Sequence, residues 1–338
     1  MIGVGVIGYG YWGPNLVRNF AEAAGAQVIA VSDLRPERLA AARLRHPGVL
    51  FTADHMEVID NPAVQAVAVA TPVSTHFEIA LKALERGKHV LAAKPLAATS
   101  EEAFRLVAEA ERRRLVLLVD HTFLYTGAVR RIRDLVRSGE LGQVHYYDAV
   151  RVNLGLFQHD VNVIWDLAVH DLSILDYVLP GRPRAISAMG TSHVPGEPQN
   201  IAYVTLLYDN SFIAHCNVSW VAPVKVRRTL IGGSRRMILY DDLEPDEKVK
   251  VYDSGIVATP GSTDAYRMMI DYRVGDMWAP KVARTEALHE EVDEFLRCIA
   301  TGAAPESSGE MGARLVTLLE AATRSMARRG EVIELPVS

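Results

Sequence analysis

Short apolar runs alternate with helically spaced segments through the first third of the chain. Residues 2–7 form an apolar strand pattern that ends in a glycine-rich turn, and Leu16, Val17, Phe20 and Ala23 then mark one face of a helix. Residues 27–32 read as a second strand, 36–45 as a helix opened by Pro36, and 49–51 as a short third strand. Residues 64–70 are nearly all Val and Ala, the composition of a parallel strand buried on both faces. A helix over 75–86 closed by Gly87, a strand over 89–92, a helix over 100–113 and a strand over 115–119 complete the series. Such βαβ alternation predicts an α/β fold with a doubly wound parallel sheet. Ligands on that sheet belong at the carboxyl ends of the strands.

From Tyr125 the pattern changes. A helix over 128–137, a long strand over 144–152 and a further helix lead into alternating stretches at 185–192, 201–208, 212–220, 226–231, 237–240 and 249–252. Turn signals such as Asp209-Asn210 and Gly232-Gly233 separate some of them. This predicts an α+β domain with a large, mostly antiparallel sheet, one face of which lies against helices. The tail carries helix patterns at 285–301 and 310–329, while residues 266–280 fit no element. The expected division is a dinucleotide-binding domain over 1–123 and a second domain over 124–338, whose last helices can return to the first.

The opening turn supplies the first chemistry. Gly8, Gly10 and Gly13 have the spacing G-x-G-x-x-G between a strand and a helix, with Tyr9, Tyr11 and Trp12 between them. The first glycine permits a tight turn, the second lets backbone approach a pyrophosphate, and the third lets helix pack on strand. The unpaired helix N–H groups then face the phosphates. Asp33 closes the next strand and lies where a carboxylate bonds a ribose diol. These features predict a Rossmann domain that binds NAD. Arg35 and Arg38 nearby soften the repulsion of a 2′-phosphate and leave NADP open.

Composition narrows the alternatives. The 338 residues exceed one ordinary core, and 49% hydrophobic with 23% charged residues is the balance of a globular protein. A net charge of −5 argues against a nucleic-acid partner. The densest basic run, Arg112-Arg113-Arg114, ends a helix, where cations complement the dipole. Cys216 and Cys298 lie far apart in apolar surroundings, without metal-ligand spacing, so no metal is expected and a reducing compartment is. With a strand beginning at residue 2 and no long apolar run, the chain reads as cytoplasmic, with no membrane partner.

Two stretches carry candidate catalytic groups. Lys94, followed by Pro95, sits just past a central strand, where an ammonium can donate to a substrate hydroxyl and favour its deprotonation. Asp166 and His170 are four apart and share one helix face, so the carboxylate can hold the imidazole's tautomer and make it a general base.

Taken together, the glycine motif with Asp33, Ala70-Thr71-Pro72 with His76, Gly87-Lys88-His89-Val90-Leu91 leading to Lys94-Pro95, and Trp165-Asp166-x-x-x-His170-Asp171 resemble the glucose–fructose oxidoreductase/inositol dehydrogenase/MocA (Gfo/Idh/MocA) family. The resemblance implies an NAD(P) Rossmann domain and a C-terminal domain whose open sheet forms substrate site and subunit interface, hence a homodimer or homotetramer. It implies that Thr71, Pro72 and His76 line the dinucleotide and that Lys94 contacts substrate hydroxyl and nicotinamide ribose. Asp166 then contacts substrate and partners the histidine, His170 is the acid/base, and the Lys94–Pro95 bond is cis. The family's usual Glu-Lys-Pro is Ala93-Lys94-Pro95 here, and Val169 stands where proline is frequent.

The implied reaction is hydride transfer between a nicotinamide cofactor and a secondary alcohol or ketone of a sugar, polyol or nucleotide sugar. His121, Tyr125, Arg151, Asn153, Asn162 and Arg227 are the polar residues read as facing the cleft. The stretches 120–125 and 153–158 resemble members of sugar-nucleotide or cell-surface carbohydrate pathways. Two further readings stand beside it: glycoside hydrolysis through transient sugar oxidation at bound NAD, and a dinucleotide-binding sensor without turnover.

Overall fold

The computed structural model describes residues 1–155, 160–258 and 270–336. The chain divides into two compact units, residues 1–125 with 285–320 and residues 126–284 with 321–338. In the first, β1 (Ile2–Ile7), α1 (Gly13–Glu22), β2 (Ala26–Ser32), α2 (Pro36–Arg45), β3 (Leu50–Thr52), α3 (His55–Ile59), β4 (Ala66–Val69), α4 (Val73–Glu85), β5 (His89–Ala93), α5 (Ser100–Arg113) and β6 (Leu117–Asp120) alternate. The six strands are parallel in the order β3-β2-β1-β4-β5-β6, the doubly wound order of a Rossmann fold. Every residue of β4 is fully buried, as its Val/Ala run requires at the centre of a sheet covered on both faces. Local chemistry sets the helix ends. Pro14 occupies the first turn of α1, and the Thr99 side chain caps α5 by accepting from the Glu102 amide. Five-residue α3 carries no pattern long enough to read.

The second unit begins with α6 (Gly127–Arg137), capped by Thr126, and β7 (Val144–Leu154). A π-turn over Ile164–Ala168 runs into α7 (Val169–Val178), followed by β8 (Ala185–Thr191), β9 (Ile201–Leu207), β10 (Ile213–Ser219), β11 (Val221–Gly233), β12 (Met237–Asp241), β13 (Val249–Tyr252), β14 (Gly255–Ala258), β15 (Ile270–Arg273) and β16 (Met277–Trp278). The register of β11 on β7 shifts between Val221 and Val226, so one strand includes the stretch read as 226–231. The expected antiparallel sheet is present, with one parallel pair, β7 with β10. Alternation is plain in β9: Ala202, Val204 and Leu206 are buried, while Tyr203 is exposed on the opposite face. Of the stretch left without an element, β15 and β16 occupy 270–273 and 277–278, and 266–269 lie outside the described residues.

The tail forms α8 (Ala287–Thr301), α9 (Gly309–Ala327) and β17 (Ile333–Glu334). Leu288, Val292, Phe295 and Leu296 of α8 join the core of the first unit, where Phe295 meets Phe20 edge to face at 6.3 Å. The far end of the chain serves the second unit. β17 pairs with β8, closing the nine-stranded order β16-β13-β12-β11-β7-β10-β9-β8-β17. Among the described residues no helix is long and apolar enough to cross a membrane.

Candidate active site

Strand register in the first unit brings five loops to one edge of the sheet. Ile7 pairs with Ser32 and with Val69, Val69 with Ala92, and Ala93 with Asp120. The residues that follow, Gly8, Asp33, Thr71, Lys94 and His121, therefore leave together at the carboxyl edge. Gly8 has φ +96°, and a Cβ there would lie 2.5 Å from the Ala70 carbonyl oxygen. A Cβ on Gly13 would come within 2.1 Å of the Gly8 carbonyl oxygen, so α1 can start this close to β1 only with glycine at both places. Tyr11 is exposed, Tyr9 is buried, and Trp12 is half-buried at the N-cap of α1.

The Asp33 carboxylate is fixed beside this turn. Its Oδ2 accepts from the Tyr9 amide at 2.8 Å and its Oδ1 from the Arg35 amide at 2.9 Å. Burial alone would raise its pKa. The two amide bonds and the charges of Arg38 and Arg35 outweigh burial and hold the carboxyl below its ordinary value. The residues fit a nicotinamide dinucleotide on the structure's own terms: a close-approach glycine turn, a helix start facing it, and an ionised carboxylate at the tip of β2.

On the neighbouring loops the Lys94–Pro95 bond is cis, in line with the family resemblance. His76 is buried, its Nδ1 2.8 Å from the Pro95 carbonyl oxygen and its Nε2 2.7 Å from that of Thr71. Its ring thus ties the loop after β4 to the loop after β5 and acts as a brace between two candidate cofactor segments. His121 is buried too, and burial, reinforced by the Lys94 charge, pushes it down to about 3. A neutral imidazole lies beside that lysine at physiological pH.

In the second unit Asp166 lies within the π-turn and His170 in the first turn of α7, both half-buried. A π-turn is a frequent mark of a functional site. Trp220, directly after β10, donates from Nε1 to Asp166 Oδ2 at 3.0 Å. Nothing in the residue pattern marks Trp220 as the holder of this carboxylate.

Four residues read as facing the cleft are engaged elsewhere. Arg151 is 3% exposed and grips Asp171 through Nε and Nη2 at 2.9 and 2.8 Å, a two-bond pair inside the second unit. Tyr125 is fully buried, and its hydroxyl donates to Glu294 Oε2 at 2.6 Å. Asn162 caps the π-turn, its Oδ1 accepting from the amides of Ile164 and Trp165 at 3.0 and 3.4 Å. Arg227 pairs with Asp242 at 3.3 Å. Asn153, near the end of β7, is half-buried. Residues 156–158 lie outside the described residues.

Comparison with known proteins identifies the family of this fold. Residues 2–121 match the Gfo/Idh/MocA oxidoreductase family with its NAD-binding Rossmann fold, and residues 129–239 match the family's C-terminal domain. The chain is 29% identical over 320 residues to UDP-N-acetylglucosamine 3-dehydrogenase of Acidithiobacillus ferrooxidans, an alignment covering 92% of this chain and 93% of that one. A solved structure of UDP-N-acetylglucosamine 3-dehydrogenase from the same organism superposes with TM-score 0.78 at 26% identity, covering 97% of this chain and 99% of the other. The fold is shared with levoglucosan dehydrogenase in complex with NADH and levoglucosan, at TM-score 0.84 and 22% identity, covering 99% of this chain and 100% of that one. With both domains matched and the glycine turn, Asp33 and the six-stranded order in place, the chain belongs to the Gfo/Idh/MocA family of NAD-binding oxidoreductases.

Proposed function

We propose that this protein reversibly oxidises a secondary alcohol of a sugar, polyol or nucleotide sugar, with Lys94, Asp166 and His170 as its catalytic residues. NAD, held by residues 8–13, Asp33, Thr71, Pro72 and Lys94-Pro95, supplies the hydride acceptor. His170 takes the hydroxyl proton, Asp166 holds the substrate and the imidazole, and the Lys94 ammonium stabilises the developing alkoxide. The observation that carries the reading is the set of loops at the carboxyl edge of the parallel sheet, where Lys94 leaves β5 at the same edge as the glycine turn and Asp33. The A. ferrooxidans relative acts, by its name, on a nucleotide sugar, which supports that substrate class.

Two properties accompany the activity. The face of the nine-stranded sheet opposite the buried residues of β9 carries exposed Tyr203, in register with exposed Met189, and Ile213 is exposed on β10. These side chains favour a homodimer or homotetramer through that sheet. Cys216 and Cys298 are both buried free thiols, which suits the cytoplasm.

The test is NADH formation by the purified protein with NAD and a panel of sugars, polyols and nucleotide sugars. Free NADH formed with one class supports the dehydrogenase. Glycoside cleavage without NADH would replace it with the hydrolase reading, and NAD binding without turnover of any of them would leave a sensor.

A further inference from the structure

Behind the glycine turn lies a carboxyl pair with no part in the chemistry above. Glu291, on α8, is fully buried, and neither of its oxygens receives a hydrogen from any N–H or hydroxyl among the described residues. The carboxyl group that acts on it most strongly is Asp120, itself buried at the end of β6. Asp120 already accepts from the Trp12 indole Nε1 at one oxygen and from Thr122 Oγ1 at the other. Two ionised carboxylates have no hydrogen to place between them and repel one another. One proton therefore belongs to the pair. Burial, and then the charge of Asp120, raise Glu291 well above the ordinary carboxyl range.

Of the other ionisable neighbours, Glu294, one turn along α8, is taken by the Tyr125 hydroxyl, by Arg297 and by the Glu306 amide, while burial and the Lys94 charge on the sheet side both disfavour a protonated His121. Trp12 is the N-cap of α1 and lies between Gly10 and Gly13.

We propose that Glu291 and Asp120 share one proton and act as a positioning pair that holds the Trp12 indole, and through it the 10–13 turn, in the form that receives the dinucleotide phosphates. The inference rests on the reading of residues 8–13 as the NAD site. It is tested by NAD dissociation constants of the full-length protein at neutral pH, with wild type measured first. If wild type does not bind NAD, the NAD-site reading fails, and the positioning role fails with it.

With wild-type binding in hand, Trp12→Phe keeps an aromatic ring and removes the indole N–H together with the pyrrole half of the bicycle. We expect it to weaken NAD about tenfold, the value of a hydrogen bond to a charged acceptor. Glu291→Ala should do the same, and Glu291→Gln, whose amide hydrogen replaces the shared proton, should restore wild-type affinity. Trp12→Phe within twofold of wild type, or Glu291→Gln as weak as Glu291→Ala, overturns the proposal. Where Glu291→Ala does not fold, Trp12→Phe decides alone.

A second readout is one that packing does not move. Wild type holds a proton that its unfolded chain releases above the ordinary carboxyl value of 4.5. Folding stability of wild type therefore falls relative to Glu291→Gln as pH rises, by about tenfold in the folding constant per pH unit until the folded pKa is reached. Parallel stability profiles of the two proteins between about pH 5 and about pH 8 would remove the shared proton.

Discussion

Replacing Arg151 by methionine keeps a long side chain and strips the guanidinium from a pair in which both partners are 3% exposed. Asp171 then keeps its carboxylate in the interior without either of the two bonds at 2.8 and 2.9 Å that satisfy it. Breaking a buried pair from one side costs about 3–5 kcal/mol, because the surviving charge is left without compensation. At about 2–4 °C per kcal/mol for a domain of roughly this size, the melting temperature should fall by roughly 6–20 °C. The double change Arg151→Met/Asp171→Leu removes both charges and should recover most of the loss, since apolar replacement of a whole buried pair is often near neutral. Thermal unfolding followed by circular dichroism reads the stability, and substrate KM is measured on the same proteins. A melting temperature within about 2 °C of wild type for Arg151→Met, together with a raised KM, would refute the structural role and return Arg151 to the substrate site.

Two further substitutions probe the sites themselves. Asp33→Ser removes the carboxylate at the tip of β2 and should weaken NAD by about 10- to 100-fold while narrowing the gap to NADP, read from the two dissociation constants. Because Asp33 is held below its ordinary value of 3.8, it stays ionised above that pH, and its contribution to binding is lost only as pH falls through the lowered value. Trp220→Phe deletes the indole donor to Asp166 and should lower kcat about tenfold with the NAD dissociation constant unchanged; an unchanged kcat would show that Asp166 needs no such holder.

The parallel sheet was legible because its signals are local. Glycine spacing, the Val/Ala run before Thr71 and the regular return of helical segments each span a few residues, and the expected strand series appears in the doubly wound order. Residues placed by their own strand ends, such as Asp33 and Lys94, were legible for the same reason. Tyr125, Arg151 and Asn162 misled because a polar residue among apolar ones looks alike whether it faces a ligand or a partner from elsewhere in the chain. Tyr125 is satisfied by Glu294, 169 residues away, and Arg151 by Asp171 on a different element. The same distance hid Trp220 and Glu291, whose partners Asp166 and Asp120 lie far off in sequence. The two-residue strands β16 and β17 are shorter than any periodicity can register.

The central claim is that Lys94 and His170 together drive hydride transfer to NAD. It is tested most directly by the rate of NADH formation at saturating NAD, with the best alcohol of the panel, in wild type, His170→Ala and Lys94→Met. The account expects His170→Ala to lose about 10²–10⁴-fold in turnover, Lys94→Met to lose at least comparably, and both to bind NAD. Turnover within a few-fold of wild type in either variant would contradict it.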